Sequence, residues 1–491
     1  MNNLANSQTG GPIPGKVRVR FAPSPTGSLH VGGARTHLFN WLYAKANNGD
    51  LVVRVEDTDQ VRSTRAFEKM VMDDIHALEL EPDESTEKQG PYAPYRQSER
   101  MQVFKDHALM LLDSKHAYRC FCPESLLDQK AEAAKAAGKP PHYDGTCTNI
   151  SREESDKRAA AGEPFAVRMK APIRDYTFTD VIRGEVTFKQ GMVGDFILLR
   201  SNGLPVYNFS VVVDDYLMRI SHVLRSEEHL PNTLRQLMIL EGFGWPAPHF
   251  AHMSIVLGND RKKLSKRHGA ASVNDYLEQG ILKDALVNFL ALLGWSPSDN
   301  KEIRPLAEIV KDFRLEKLTK SPAIFDTEKL HWMNGEYIRA MPIEEFAEKA
   351  RPFIVKAGFD PDARGKAWLL PVLDSVRGHL KMLSEIGPHL EIYFAEKYTV
   401  DADASDVLKT DDGKKVVAAF RAELEKCETP TGEWLDSAQN AIKASTGAKG
   451  KGLFFPLRAC VTGRLHGPEL KIVLPLIGKE EALRRVDLAL Q

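Results

Sequence analysis

Two short segments, far apart in the chain, hold residue types that can handle phosphate. The first runs Arg20-Phe-Ala-Pro-Ser-Pro-Thr-Gly-Ser-Leu-His-Val-Gly-Gly33. Its His30, Gly32 and Gly33 fall where a loop gives way to an apolar helical pattern. Backbone N–H groups and the helix dipole favour an anion there, and glycine lets a nucleotide approach the backbone. The second runs Lys262-Lys-Leu-Ser-Lys-Arg267. Read alone, a charge run of this kind is a solvated basic loop. Paired with the first segment, it reads as a cationic loop that meets phosphate charge as it develops. The chain has no glycine-rich phosphate loop ending Gly-Lys-Ser/Thr, which excludes that class of ATPase.

The elements that must position these residues follow from hydrophobic period. Val17 to Phe21 reads as a strand, Ala22 to Leu29 as a loop, and Ala34, Leu38, Trp41 and Leu42 as one face of a helix ending near Asn47. Leu51 to Val55 is a second strand. Strand, glycine-bearing loop, helix and strand make the first unit of a doubly wound nucleotide-binding sheet. Phe67–Leu80 and Met101–His116 read as amphipathic helices. Short strands are expected at Phe165–Lys170, Tyr176–Asp180, Gly184–Phe188 and Phe196–Arg200, and a buried β-branched strand at Val206–Val213. Leu234–Glu241 reads as a helix, and Met253–Leu257 as the strand leading into the lysine loop. Beyond about residue 320 the pattern is helical, clearest at Ala367–Ile386, Lys414–Glu425, Glu433–Ala444 and Glu480–Leu490.

His30-Val-Gly-Gly33 and Lys263-Leu-Ser-Lys-Arg267 resemble the two signatures of class I aminoacyl-tRNA synthetases. Arg20-Phe-Ala-Pro-Ser-Pro-Thr-Gly, Arg54-Val-Glu-Asp-Thr-Asp59, Tyr207-Asn-Phe-Ser-Val-Val-Val-Asp-Asp215 and His222-Val-Leu-Arg-Ser-Glu-Glu-His229 narrow this. They resemble the bacterial glutamyl branch, and the match runs from about residue 16 to the end. Gly33 stands where the class signature has a second histidine, as is usual in that branch. The fold this implies is a multidomain α/β one: a Rossmann-type parallel-sheet catalytic domain split by an α+β insertion, then an all-α anticodon-binding region. The expected boundaries are 1–15, a disordered tail; 16–116, the first half of the catalytic domain; 117–205, an acceptor-stem insertion; 206–319, the second half with the lysine loop and a stem-contact region; and 320–491, two helical subdomains.

The reaction the resemblance implies activates glutamate with ATP, with magnesium accompanying the triphosphate, and then loads the glutamyl group onto tRNA(Glu). Activation is expected to wait for tRNA. The attacking carboxylate is already ionised, so positioning and charge stabilisation suffice, and motifs rich in lysine and backbone donors fit that need. The catalytic residues it implies are His30, Lys263 and Lys266, with Gly32, Gly33 and Ser265 completing the ATP site. Arg20 and Arg225 match the branch's glutamate-binding arginines; a guanidinium grips a carboxylate in a way an amide cannot match. Glu56 matches the acceptor of the amino group, and Ser24 and Tyr207 line the amino-acid pocket. Read from the residues alone, each arginine could equally be a structural ion pair, with Glu56 or Asp57 as partner.

Cys120-Phe-Cys122 with Cys147 resembles a zinc element found in some members of the family. Asn149 stands where some relatives carry a histidine ligand; Tyr143 keeps the family's spacing, beside His142. Three reduced thiols in a small insert is the alternative reading. Five cysteines make no disulfide framework, which fits a reducing, cytoplasmic setting. Cys427 and Cys460 read as small buried apolar side chains.

No apolar stretch reaches the length of a membrane span. A net charge of −1 gives no overall basic footprint, so RNA contact must come from segregated charge such as Lys443 to Arg464. The resemblance implies a monomer. Two alternatives stay open: an enzyme of the same branch that also charges tRNA(Gln), and a nucleotidyl transferase acting on a small molecule. A glutaminyl enzyme would end in β-barrels, and this C-terminus reads helical.

Overall fold

The computed structural model describes residues 10–59, 62–264, 272–394 and 398–491. It divides into two compact units, Met1–Asp275 with Val287–Asp326, and Tyr276–Leu286 with Thr327–Gln491.

The first unit is built on parallel strands. β1 (Arg18–Phe21) pairs with β2 (Asp50–Val53), with α1 (Val31–Ala46) as the crossover. Val19, Leu51, Val52 and Val53 are fully buried, as expected of strands covered on both faces. Next come α2 (Arg65–Ala77) and α3 (Met101–Asp113). The segment that follows contains β3 (Ala117–Cys120), α4 (Glu124–Ala136), α5 (Arg152–Ala160), β4 (Ala166–Met169), β5 (Tyr176–Asp180), β6 (Gly184–Phe188) and β7 (Phe196–Leu199). β3, β4 and β7 form their own antiparallel sheet. The β5–β6 hairpin joins a different sheet, through the parallel pairing of Asp180 with Phe250.

α6 (Tyr207–Leu217), β8 (His222–Ser226), α7 (Leu230–Phe243) and β9 (His249–Met253) complete the arrangement. The four-stranded order is β6-β5-β9-β8, with β8 and β9 parallel. Ser221 ties this sheet to β1: its N–H donates to the Arg18 carbonyl at 2.9 Å, and its hydroxyl accepts the Arg18 N–H at 2.8 Å.

The strand expected at Val206–Val213 is instead most of helix α6. Phe209 to Asp215 are all buried, in a core shared with α3 and α7 through Phe104, Leu111, Leu234 and Met238. A helix covered on every side has no polar face to reveal its period, and an apolar run then reads as strand or helix alike. Two acidic residues end this buried stretch because arginines meet them. Asp214 accepts from Arg100 Nε at 2.7 Å and Gln97 Nε2 at 2.9 Å. Asp215 accepts from Arg54 Nη1 at 2.8 Å. Burying either charge alone would cost several kcal/mol, so these pairs fix α6 against the residues leading into α3 and those following β2.

The strand expected at Met253–Leu257 is broken in two. β9 ends at Met253, and β10 (Val256–Leu257) pairs with Ala323–Ile324. Arg35 of α1 donates to the Ser254 carbonyl at 2.7 Å, at the break. Of the expected N-terminal tail, residues 1–9 lie outside the described residues. Gly10 and Gly11 are packed: Gly11 N–H donates to Tyr216 O at 2.8 Å, and a Cβ at Gly10 would come within 2.2 Å of the Tyr216 ring.

The second unit is helical. Asp411–Lys426, Gly432–Thr446, Lys451–Thr462, Leu470–Ile477 and Lys479–Leu490 enclose Phe420, Leu457, Cys460, Val461 and Val486. Cys460 and Cys427 are buried. Part of the basic stretch is used internally: Arg458 donates to Pro468 O at 2.8 Å, and Arg464 pairs with Glu391 at 3.0 Å. Lys443, Lys449 and Lys451 are exposed. Among the described residues no helix is long and apolar enough to cross a membrane.

Candidate active site

β1 and β8 both end at one cavity of about 650 Å³. The starts of α1 and α6 reach the same cavity. Arg20, Ser24, His30, Gly32 and Gly33 line it from the first half of the chain, with Glu56 from the segment after β2; Tyr207, Arg225 and Lys263 line it from the second. Ser265 and Lys266 lie outside the described residues. Of the expected phosphate and amino-acid residues, every other one is thus brought to a single place.

The phosphate side is the start of α1. His30 is the helix cap, and its Nδ1 accepts the Gly32 N–H at 3.1 Å. In the neutral ring this leaves Nε2 as the N–H. A Cβ at Gly33 would stand 2.8 Å from Leu29 Cδ1, so glycine lets the loop close onto the helix start. Lys263 is 66% exposed and pairs with Glu228 at 2.6 Å. An exposed pair of this kind is weak, so the ammonium is readily redirected towards a polyphosphate.

The amino-acid side is held by two arginines used differently. Arg20 Nε donates to both Asp215 oxygens, at 3.1 and 3.2 Å. Its partner is therefore Asp215, not Glu56 or Asp57. Asp57 instead accepts from Ser98 N and Oγ at 2.8 and 2.6 Å. Arg225 is only 5% exposed. Its hydrogen bonds go to uncharged acceptors: Nη2 to Thr233 Oγ1 at 2.8 Å and Gln236 Oε1 at 2.9 Å, and Nε to His252 Nε2 at 3.1 Å. Nη1 is buried without a hydrogen-bond partner. Burial pushes the Arg225 pKa down, and Arg20 adds to this. A charge so placed calls for an anionic oxygen.

Glu56 is buried beside Arg54, whose Nη2 donates to it at 3.2 Å. Burial raises its pKa, against the pull of Arg54 and Arg20. Tyr207 OH lies 3.2 Å from His229 Nδ1. Burial, with Arg225 and Arg20 nearby, lowers the His229 pKa to about 4, so that ring is neutral. Sequence reasoning gave no role to Asp215, Arg54, His229 or His252. The first three sit inside the quoted motifs, which was the available signal. His252 has none.

A separate cluster lies in the inserted segment. The Sγ atoms of Cys120, Cys122 and Cys147 fall within 4.8 Å of one another. Tyr143 OH is 3.4 Å from both Cys120 and Cys122 Sγ, and Cys122 and Cys147 Sγ are 3.6 Å apart. Tetrahedral zinc with Zn–S bonds of about 2.3 Å needs sulfurs about 3.8 Å apart, so three thiols and a phenol oxygen fit its donor set. Burial and the three neighbouring thiols raise the Tyr143 pKa.

Geometry of this kind suits a phosphate group at a helix start beside a small anion at buried arginines. A family profile described as the catalytic domain of class I tRNA synthetases (E and Q) matches residues 16–332, and one described as an anticodon binding domain matches residues 345–490. The chain belongs to this class I tRNA synthetase family. Its relatives include the glutamate–tRNA ligase of Lysinibacillus sphaericus, 45% identical over 96% of this chain and 99% of that protein. The glutamate–tRNA ligase of Geobacillus stearothermophilus is 42% identical over 97% and 99%. A crystal structure of a glutamate tRNA ligase from Elizabethkingia meningosepticum in complex with its amino acid matches with a TM-score of 0.90 at 32% identity, covering 97% of this chain and 99% of that one.

Proposed function

We infer that this chain activates L-glutamate with ATP and ligates it to tRNA(Glu). The carrying observation is the buried Arg225 with an unpartnered Nη1 beside the helix start capped by His30. The near-full-length match to glutamate–tRNA ligases supports it. The glutamate α-carboxylate attacks the α-phosphorus of ATP, and pyrophosphate departs with the bond electrons. A terminal ribose hydroxyl of the tRNA then attacks the activated carbonyl, releasing AMP. His30 Nε2 and the first N–H groups of α1 contact the phosphates; Lys263, together with Lys266 and Ser265, meets the leaving pyrophosphate. Magnesium accompanies the triphosphate as counter-ion. Arg20 and Arg225 grip the side-chain carboxylate, Glu56 takes the amino group, and Ser24 and Tyr207 wall the pocket. The enzyme works in the cytoplasm as a monomer. Residues 117–205 contact the acceptor stem, and residues 320–491 read the anticodon, with Lys443, Lys449 and Lys451 as exposed cations.

Charging of purified tRNA(Glu) and tRNA(Gln) with labelled glutamate tests this reading. Loading of tRNA(Glu), with pyrophosphate exchange only when tRNA is present, is the expected result. No charging of either tRNA would refute it. Loading of tRNA(Gln) as well would show an enzyme that serves both.

Cys120, Cys122, Cys147 and Tyr143 would hold one zinc ion, which supplies a structural cross-link to the inserted segment. Metal analysis of protein purified without chelator is expected to give about one zinc per chain, and less than a tenth of that in Cys122→Ser. Wild-type protein free of zinc after growth in zinc-supplemented medium would exclude the site.

A further inference from the structure

The proposed grip of Arg225 on glutamate raises a further question: what holds a buried guanidinium in one orientation without satisfying it. An arginine aimed at a substrate needs a fixed plane. A carboxylate in direct contact would fix it, but would also cancel the charge the substrate must meet. Arg20 is fixed in that way by Asp215; Arg225 is held differently.

Asp180, at the end of β5, is fully buried. One of its oxygens lies 2.6 Å from His252 Nδ1, and its carboxylate also accepts the His252 backbone N–H at 3.1 Å and those of Ile182 and Arg183 at 3.0 and 2.9 Å. The imidazole is fully buried too, beside Phe250 and Phe178 at centroid distances of 6.0 and 6.4 Å. With Nδ1 protonated towards Asp180, Nε2 is the acceptor. It faces Arg225 Nε at 3.1 Å and Thr233 Oγ1 at 3.1 Å. Thr233 Oγ1 and Gln236 Oε1 take both protons of Arg225 Nη2. Three acceptors thus define the guanidinium plane, and only Nη1 is left for a ligand.

We propose that His252, oriented by Asp180, is the positioning residue that presents Arg225 Nη1 to the substrate carboxylate. The neutral ring acts as a spacer. It carries the directionality of the Asp180 carboxylate to Arg225 but adds no negative charge there. Burial and Arg225 itself disfavour the imidazolium, in keeping with an acceptor role. The register makes this possible: Asp180 pairs with Phe250 across the parallel β5–β9 contact, and Arg225 pairs with His252 across β8–β9. One end of the sheet therefore places the acid, the imidazole and the guanidinium on three neighbouring strands.

This rests on the glutamate-pocket reading above, and the test separates the two. In His252→Phe the ring still packs but Arg225 Nε loses its acceptor. Glutamate KM is expected to rise about tenfold or more, the scale of one lost hydrogen bond to a charged group, with kcat and ATP KM within about twofold. In His252→Gln the amide oxygen takes the Nε2 position, and glutamate KM is expected to stay within about threefold of wild type. His252→Asn keeps a donor to Asp180 but ends short of Arg225, so it should behave like His252→Phe; it carries the test if the phenylalanine variant fails to fold. An unchanged glutamate KM in His252→Phe or His252→Asn, in an enzyme where Arg225→Ala does raise it, overturns the positioning role alone. An equal rise in glutamate and ATP KM with a lower melting temperature in all three variants also overturns it, because that pattern is structural damage. If Arg225→Ala leaves glutamate KM unchanged, the pocket reading falls, and this proposal with it.

Discussion

Arg225→Ala is expected to lower kcat/KM for glutamate by about a thousandfold while leaving ATP KM within about threefold of wild type. The magnitude follows from what is removed. A buried charged donor with no internal counter-ion contact meets a carboxylate, and loss of such a partner costs about 2–5 kcal/mol. The loss should fall mainly on glutamate KM, because the side-chain carboxylate is gripped equally before and during reaction. The same variant should narrow discrimination against glutamine. Wild type leaves Arg225 Nη1 facing an amide when glutamine enters, which a site built for a carboxylate rejects strongly. Steady-state charging with both amino acids, at saturating tRNA, measures the two effects together. An intact glutamate kcat/KM in a folded Arg225→Ala enzyme would place the carboxylate grip elsewhere.

His30→Ala is expected to reduce adenylate formation by about 10²–10³-fold, the usual result of deleting one preorganised donor to developing phosphate charge. Its Nδ1 accepts the Gly32 N–H, so the ring is already oriented in the free protein and the donor at Nε2 needs no reorganisation. The variant also removes the cap of α1, which costs about 1 kcal/mol of stability. His30→Asn separates the two effects: asparagine is among the best caps but its amide does not reach as far as Nε2. A large rate loss in both variants, with the melting temperature recovered in His30→Asn, is the expected pattern. Full activity in His30→Asn would assign His30 to capping alone.

The sequence was most legible where local chemistry and period agreed. The capped start of α1, the loop before it, and the amphipathic helices α2 and α3 all follow from residue type and spacing. The helical second unit was legible for the same reason, except that the helix expected over Ala367–Ile386 stops at Arg377 before Gly378. Arg20 and Arg225 were legible only through long motifs. Nothing local distinguishes an arginine that grips a ligand from one in an ion pair, and Arg20 does in fact pair, with Asp215 across 195 residues. α6 was misread because burial on every side erased its period. The Asp180–His252–Arg225 chain was invisible for a geometric reason. Its members are ordinary strand residues, and only the alignment of β5, β9 and β8 brings them together.

The tie at Ser221 has a consequence for how the protein is made. Its partner Arg18 lies 203 residues earlier in the chain, and Arg20 likewise finds Asp215 only across the inserted segment. A ribosome adding about 5–20 residues per second therefore leaves the β1–β2 edge waiting some 10–40 s before its neighbour emerges. During that interval β1 has an open ladder edge, the kind of edge that recruits other strands, and Val52 lacks the Met218, Ile220, Val223 and Phe250 side chains that share its core. Within the inserted segment the β3–β4–β7 sheet can pair first, while the β5–β6 hairpin still waits for β9. Nascent chains halted before about residue 220 should accordingly be holdase clients, and release should coincide with synthesis of β8 and β9.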